Sequence, residues 1–132
     1  MTSHKPANHN AVSPYLLVQD VRAMLAFLKA TFGAAEVYKM TLPDGSVKHA
    51  EVRIDDSIVM LGERPDDRDP VHCSTHVYVT VVDDCYARAL AAGATSISTP
   101  ADQSYGDRSA GVRDAEGNIW WLGTHLGGAG PD

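Results

Sequence analysis

The chain has 132 residues, 44% hydrophobic and 21% charged, with a formal net charge of −6, a balance that suits one globular domain or two half-size modules sharing a core. No Lys/Arg run offers nucleic acid a basic stripe, and no apolar stretch nears the roughly 18 residues of a membrane helix, so neither partner is expected. Cys73 and Cys85 give no disulfide framework and MTSHKPANHN has no signal-peptide core, which makes a cytoplasmic location the expectation.

Residues 1–10 read as a flexible tail. A first strand is predicted over 13–18, and Asp20 is placed to cap a helix from Val21 to Phe32. That helix sets Val21, Met24, Leu25, Leu28 and Phe32 on one face, and Gly33 ends it. A strand over 36–42, a Pro43-Asp44-Gly45 turn, a strand over 47–54, an Asp55-Asp56 turn and a strand over 57–61 follow. Module 1 is thus drawn over 11–62, and the charged, proline-bearing stretch 63–74 reads as a linker.

Module 2, over 75–126, repeats the order. A strand is predicted over 75–81, then a helix capped by Asp83 or Asp84 and ended by Gly93. A short strand over 95–98 leads into a long loop, 99–106, then strands over 108–113 and 118–124 flank a Glu116-Gly117 turn. Residues 127–132 read as a second flexible tail. YLLVQDVRAMLAFLKATFGA and YVTVVDDCYARALAAGA look like two copies of one unit, and the doubled βαβββ order makes an α+β, mostly antiparallel fold.

Period-two alternation assigns the side chains. Ala50, Val52 and Ile54 face the helix, leaving His49, Glu51 and Arg53 on the other side. Val77, Val79 and Val81 face the helix, leaving His76, Tyr78 and Thr80. Ala110 and Val112 face it, leaving Ser109, Gly111 and Arg113. The strands over 13–18, 57–61 and 118–124 are apolar on both faces, which predicts central positions. The face away from the helices mixes aromatic and polar groups, as a ligand pocket does.

SPYLLVQD, KHAEVRI, SIVMLGE, DQSYGDR and GNIWWLGTH, spread over residues 12 to about 126, resemble the vicinal oxygen chelate superfamily (glyoxalase, bleomycin-resistance and extradiol dioxygenase proteins), its PhnB-like branch in particular. The resemblance implies the glyoxalase/bleomycin-resistance fold, two βαβββ modules forming a cupped sheet, and a homodimer. It further implies four metal corners, which fall here on Ser13, Met60, His76 and Trp121. Only His76 is an ordinary ligand, since a thioether is soft and an indole offers no lone pair. No metal or other cofactor is therefore expected.

The candidate catalytic pair is His49 and Glu51, two apart on one strand and so roughly 7 Å from each other on one face, with Arg53 next in line. Tyr15, Met60, Tyr78 and Trp121 are the expected walls of a ligand site, and His49, Glu51, Arg53 and His76 its polar contacts. Tyr105 in the long loop and Arg108 just beyond it are placed to close over a ligand. His72, Cys73 and His76 point to no shared ion if extended, being spread over roughly 13 Å. The expected function is binding of a small amphipathic or aromatic molecule in a metal-free cup. The alternative is a metal-dependent lyase, isomerase or dioxygenase with a rearranged ligand set.

Overall fold

A computed structural model describes residues 3–127; the end of the second expected tail, 128–132, lies outside the described residues. The elements run β1 (Tyr15–Val18), α1 (Val21–Phe32), β2 (Ala35–Thr41), β3 (Val47–Ile54), β4 (Ser57–Glu63), β5 (Ser74–Tyr78), α2 (Val82–Ala91), β6 (Thr95–Asp102), β7 (Asp107–Arg113) and β8 (Ile119–His125). They form two four-stranded mixed sheets, ordered β1-β4-β3-β2 and β5-β8-β7-β6, so the α+β reading of a doubled βαβββ chain holds. The chain divides into two compact units. Among the described residues the first holds 3–29 and 33–71, the second 30–32 and 72–127.

In the first unit, Asp20 caps α1 as expected, its carboxylate accepting the Ala23 N–H at 2.9 Å, and Gly33 ends it in the left-handed region at φ 65°. Val21, Met24, Leu25, Phe27 and Leu28 bury the apolar side of the helix. β3 alternates as predicted: Ala50, Val52 and Ile54 are buried, while His49, Glu51 and Arg53 are half-buried on the other, open face. β4 is an inner strand. β1 lies at the sheet edge, against expectation, because it pairs only with β4, in parallel. Its apolar look comes from Leu16 and Val18, which are buried, and from Tyr15, which is exposed on the open face.

The second unit departs from expectation at three places. β5 ends at Tyr78, so Val81 is exposed rather than buried, and Val81 itself stands at the N-cap of α2 without a side-chain bond. Asp83 and Asp84 fall in the first helical turn instead, where negative charge still suits the helix end. The first half of the loop expected over 99–106 is strand: β6 pairs with β7 as far as Asp102 opposite Arg108, leaving a turn at 103–106. Pro100 is tolerated because β6 is an edge strand, where a missing N–H breaks no ladder.

The β7–β8 hairpin is fastened by a buried carboxylate. Asp114, 5% exposed, accepts the backbone N–H groups of Glu116 (2.9 Å) and Asn118 (3.0 Å) and the Trp120 indole N–H (2.8 Å). Asn118 in turn accepts the Cys73 N–H at 2.9 Å, tying the hairpin to the start of β5. Asp114→Ala orphans three donors, one of them an indole fully buried in the core. The expected loss is roughly 3 kcal/mol of unfolding free energy, read as a lower denaturation midpoint at unchanged slope.

Candidate functional site

Strand register lines up one transverse row of open-face residues in each unit. In the first unit it runs Tyr15, Met60, Glu51, Tyr38 across β1, β4, β3 and β2. In the second it runs His76, Trp121, Gly111, Ser98 across β5, β8, β7 and β6. The rows correspond position by position, so the counterpart of Tyr15 is His76 and not Tyr78, as the sequence repeat suggested. Each of these two rings lies over the open-face glycine of the inner strand: a Cβ on Gly62 would sit 2.6 Å from Tyr15 Oη, and one on Gly123 would sit 2.9 Å from His76 Nε2.

Glu51 organises the first row. Its Oε2 is 3.2 Å from His49 Nε2, and His49 Nδ1 is 3.2 Å from Tyr15 Oη. Donation from His49 Nε2 to the carboxylate and from the phenol to His49 Nδ1 satisfies both bonds. The second oxygen, Oε1, is 2.6 Å from Nε2 of His9. His9 Nδ1 faces the Ala7 carbonyl at 3.0 Å. A carbonyl and a carboxylate both only accept, so both ring nitrogens of His9 must donate, and the ring is an imidazolium. The Glu51 bond, then the Ala7 bond, hold His9 above the ordinary value of 6.5, while the His9 bond pulls Glu51 below its ordinary 4.5. The expected N-terminal tail is therefore pinned to β3, by a pairing across 42 residues that no local pattern announces.

Beside this pair, Lys5, Pro6, His9 and Asn10 from the N-terminal arm close a cavity of about 440 Å³ whose other walls are Val37, Tyr38, Glu51 and Met60. That volume falls in the range of small-molecule sites, about 300–1,000 Å³. Glu51 and Met60 were expected there. Val37 and Tyr38 were missed because β2 has no clean alternation: it is exposed throughout and interrupted by register shifts.

In the second unit the corresponding row carries an indole over a glycine. Trp121 lies flat across Gly111, where a Cβ would be 2.5 Å from its six-membered ring, and its indole N–H donates to Ser74 Oγ at 3.0 Å. Tyr78 stands edge-on to His76, with centroids 4.6 Å apart, and its hydroxyl donates to Asp107 at 3.0 Å. His125 Nδ1 reaches the same carboxylate at 2.8 Å, and this bond above all lowers the Asp107 pKa.

The family model described as the glyoxalase/bleomycin resistance protein/dioxygenase superfamily matches residues 8–122. The chain belongs to this superfamily. It is 36% identical over 124 residues to the uncharacterized protein Mb0911c of Mycobacterium bovis, covering 86% of this chain and 82% of that protein. Among solved structures it is similar to TioX from Micromonospora sp. ML1, at 26% identity and a TM-score of 0.75, covering 89% of this chain and 99% of TioX. FosX, a fosfomycin resistance protein of Listeria monocytogenes solved with Mn(II) and sulfate, shares the fold at 20% identity and a TM-score of 0.68, with 90% of each chain covered.

Superfamily membership raises the question of a metal, and the corner residues do not fit one. By register the first-unit corner facing Met60 is Tyr15, whereas the resemblance put Ser13 there. Met60 offers a thioether on a mostly apolar wall, and Trp121 has its only nitrogen committed as a donor to Ser74. Ser13 Oγ is buried without a partner; its counterpart Ser74 has the Trp121 indole, for which Met60 is no substitute. Among the described residues no three His, Cys, Asp or Glu side chains converge as a metal site.

Of the remaining candidates, Tyr15, His49, Glu51 and Met60 come together in the first unit, with Arg53 one step along β3. His76, Tyr78 and Trp121 come together in the second. Tyr105 is exposed in the β6–β7 turn. Arg108 is a correction. It shares the phase of buried Ala110 and Val112, and its guanidinium is held by Asp83 at 2.7 Å and Asp102 at 3.0 Å, so it fastens α2 to the β6–β7 hairpin and does not close over a ligand.

Two outcomes test this geometry. The His9–Glu51 pair contributes stability that is complete between the ordinary Glu and His values, fades as pH rises through the raised His9 pKa, and fades as pH falls through the lowered Glu51 pKa. Amide exchange of residues 5–10 is expected to be slowest in that window, with an alkaline midpoint above 6.5; a midpoint at or below that value contradicts the imidazolium. Gly111→Ala is expected to lift Trp121 off the sheet, shifting Trp emission to the red and costing about 1–3 kcal/mol.

Proposed function

We propose that the protein binds a small amphipathic or aromatic molecule on the open face of its first sheet, without a metal centre. The cavity closed by the N-terminal arm carries this reading, because it joins apolar walls (Val37, Tyr38, Met60) to a fixed polar edge (Glu51, His9). Tyr15, His49 and Arg53 extend that surface, and His76, Tyr78, Tyr105 and Trp121 line the open face of the second unit as a further aromatic surface. Holding a toxic compound needs no bond-making, which suits a site whose histidines and carboxylate are spent on one another. Within the superfamily we place the chain nearest the PhnB-like branch, on SPYLLVQD, KHAEVRI and GNIWWLGTH. A homodimer in the cytoplasm goes with that placement. Among the described residues no helix is long and apolar enough to cross a membrane.

Calorimetric titration with a panel of bicyclic aromatics is the direct test. Tyr38→Ala, on an exposed edge strand, is expected to weaken binding about tenfold while leaving thermal stability nearly unchanged. Unchanged affinity in that variant removes the cavity as the site. Stoichiometric divalent metal in untagged protein, lost in His76→Ala, replaces this reading with the metal-dependent enzyme.

A further inference from the structure

The charges around the first-unit cavity do not cancel. Glu51 is its one carboxylate, and both oxygens are occupied, Oε1 by His9 and Oε2 by His49. Facing His9 are Glu51, His49 and Arg53 from β3, Tyr38 from β2 and Lys5 from its own arm; Met60, from β4, is uncharged. His9 and Glu51 neutralise each other, and His49 is bonded to Glu51 and Tyr15. Lys5 and Arg53 remain, and among the described residues neither has an ion-pair partner. A local excess of positive charge on a chain of net charge −6 is a feature of this place and not of the surface at large.

The shape adds a second restriction. Tyr38 and Met60 come from adjacent positions of the transverse row on either side of Glu51, and Val37 and Pro6 complete an apolar slot beside it. A flat ring fills such a slot at small entropic cost. A single negative charge finds Lys5 on the lining, and Arg53, which does not line the cavity, acts on its His9 wall through space. A dianion would bring its second charge against Glu51 and against the acidic body of the chain.

Resting on the binding function proposed above, we propose that the ligand of this cavity is an aromatic carboxylate, its ring against Val37, Tyr38 and Met60 and its charge on Lys5, in the field of nearby Arg53. The N-terminal arm is then part of the site, latched over the ring by His9 on Glu51. It supplies Lys5 and half of the wall.

The probes are 1-naphthoate, its neutral amide 1-naphthamide, and the cationic 1-naphthylmethylamine, titrated calorimetrically into the full chain in the pH window where the latch is closed. The carboxylate is expected to bind about tenfold tighter than the amide, with the amine weakest. The double variant Lys5→Gln, Arg53→Gln is expected to bring the carboxylate to the level of the amide. His9→Gln, which opens the latch, is expected to weaken carboxylate and amide alike. Equal binding of all three probes, or preference for the amine, overturns the carboxylate assignment and leaves the binding function standing. Failure of all three to bind folded protein, judged by an unchanged melting transition, sinks the binding function and this inference with it.

Discussion

On the open face of each sheet, a ring can lie flat only where the strand beneath it carries glycine. Trp121 needs Gly111, Tyr15 needs Gly62, and His76 needs Gly123, each at a spacing that a methyl group would violate. This steric condition sorts the two units. They share strand order, register and the Tyr15/His76 ring over its glycine, yet the rest of the row differs: Met60, Glu51 and Tyr38 in one, Trp121, Gly111 and Ser98 in the other. Trp121 lies over Gly111 in the second unit; Met60 beside Glu51 lines a cavity in the first.

The carboxylate then recruits its surroundings. A half-buried Glu is costly unless its oxygens are bonded, and Glu51 is bonded twice. One partner, His49, sits two residues away on the same strand. The other, His9, has to be brought by the arm, and with it come Lys5, Pro6 and Asn10 as the near wall of the cavity. The requirement to satisfy one buried charge thereby builds a pocket edge. In the second unit Asp107 meets the same need with Tyr78 and His125, both already on the sheet, and no arm is required.

Membership of the glyoxalase/bleomycin resistance protein/dioxygenase superfamily rests on a match over 8–122 and agrees with the doubled βαβββ order. The superfamily supplies architecture, and chemistry has to be argued from the side chains present. Here those side chains are a phenol, a thioether and an indole in the two transverse rows, together with a histidine edge-on to Tyr78. Such a set favours holding a molecule over activating one, which is why the binding reading is the one we advance.

What was legible in the sequence is what depends on neighbours along the chain. Asp20 and Gly33 bound α1 because capping is settled within one turn, and the two faces of β3 follow from period two. The His49–Glu51 pair was visible for the same reason. Strand order decided the rest: β1 at an edge despite its apolar residues, Pro100 admitted to β6 because that edge has no ladder to break, and Tyr15 matched with His76 by register rather than by letter. Arg108 showed the right phase but not its two carboxylates, one of which lies on another element. His9 showed nothing at all. Its role exists only once folding brings residue 9 to residue 51, since a hydrogen bond between distant segments leaves no periodic trace in either of them.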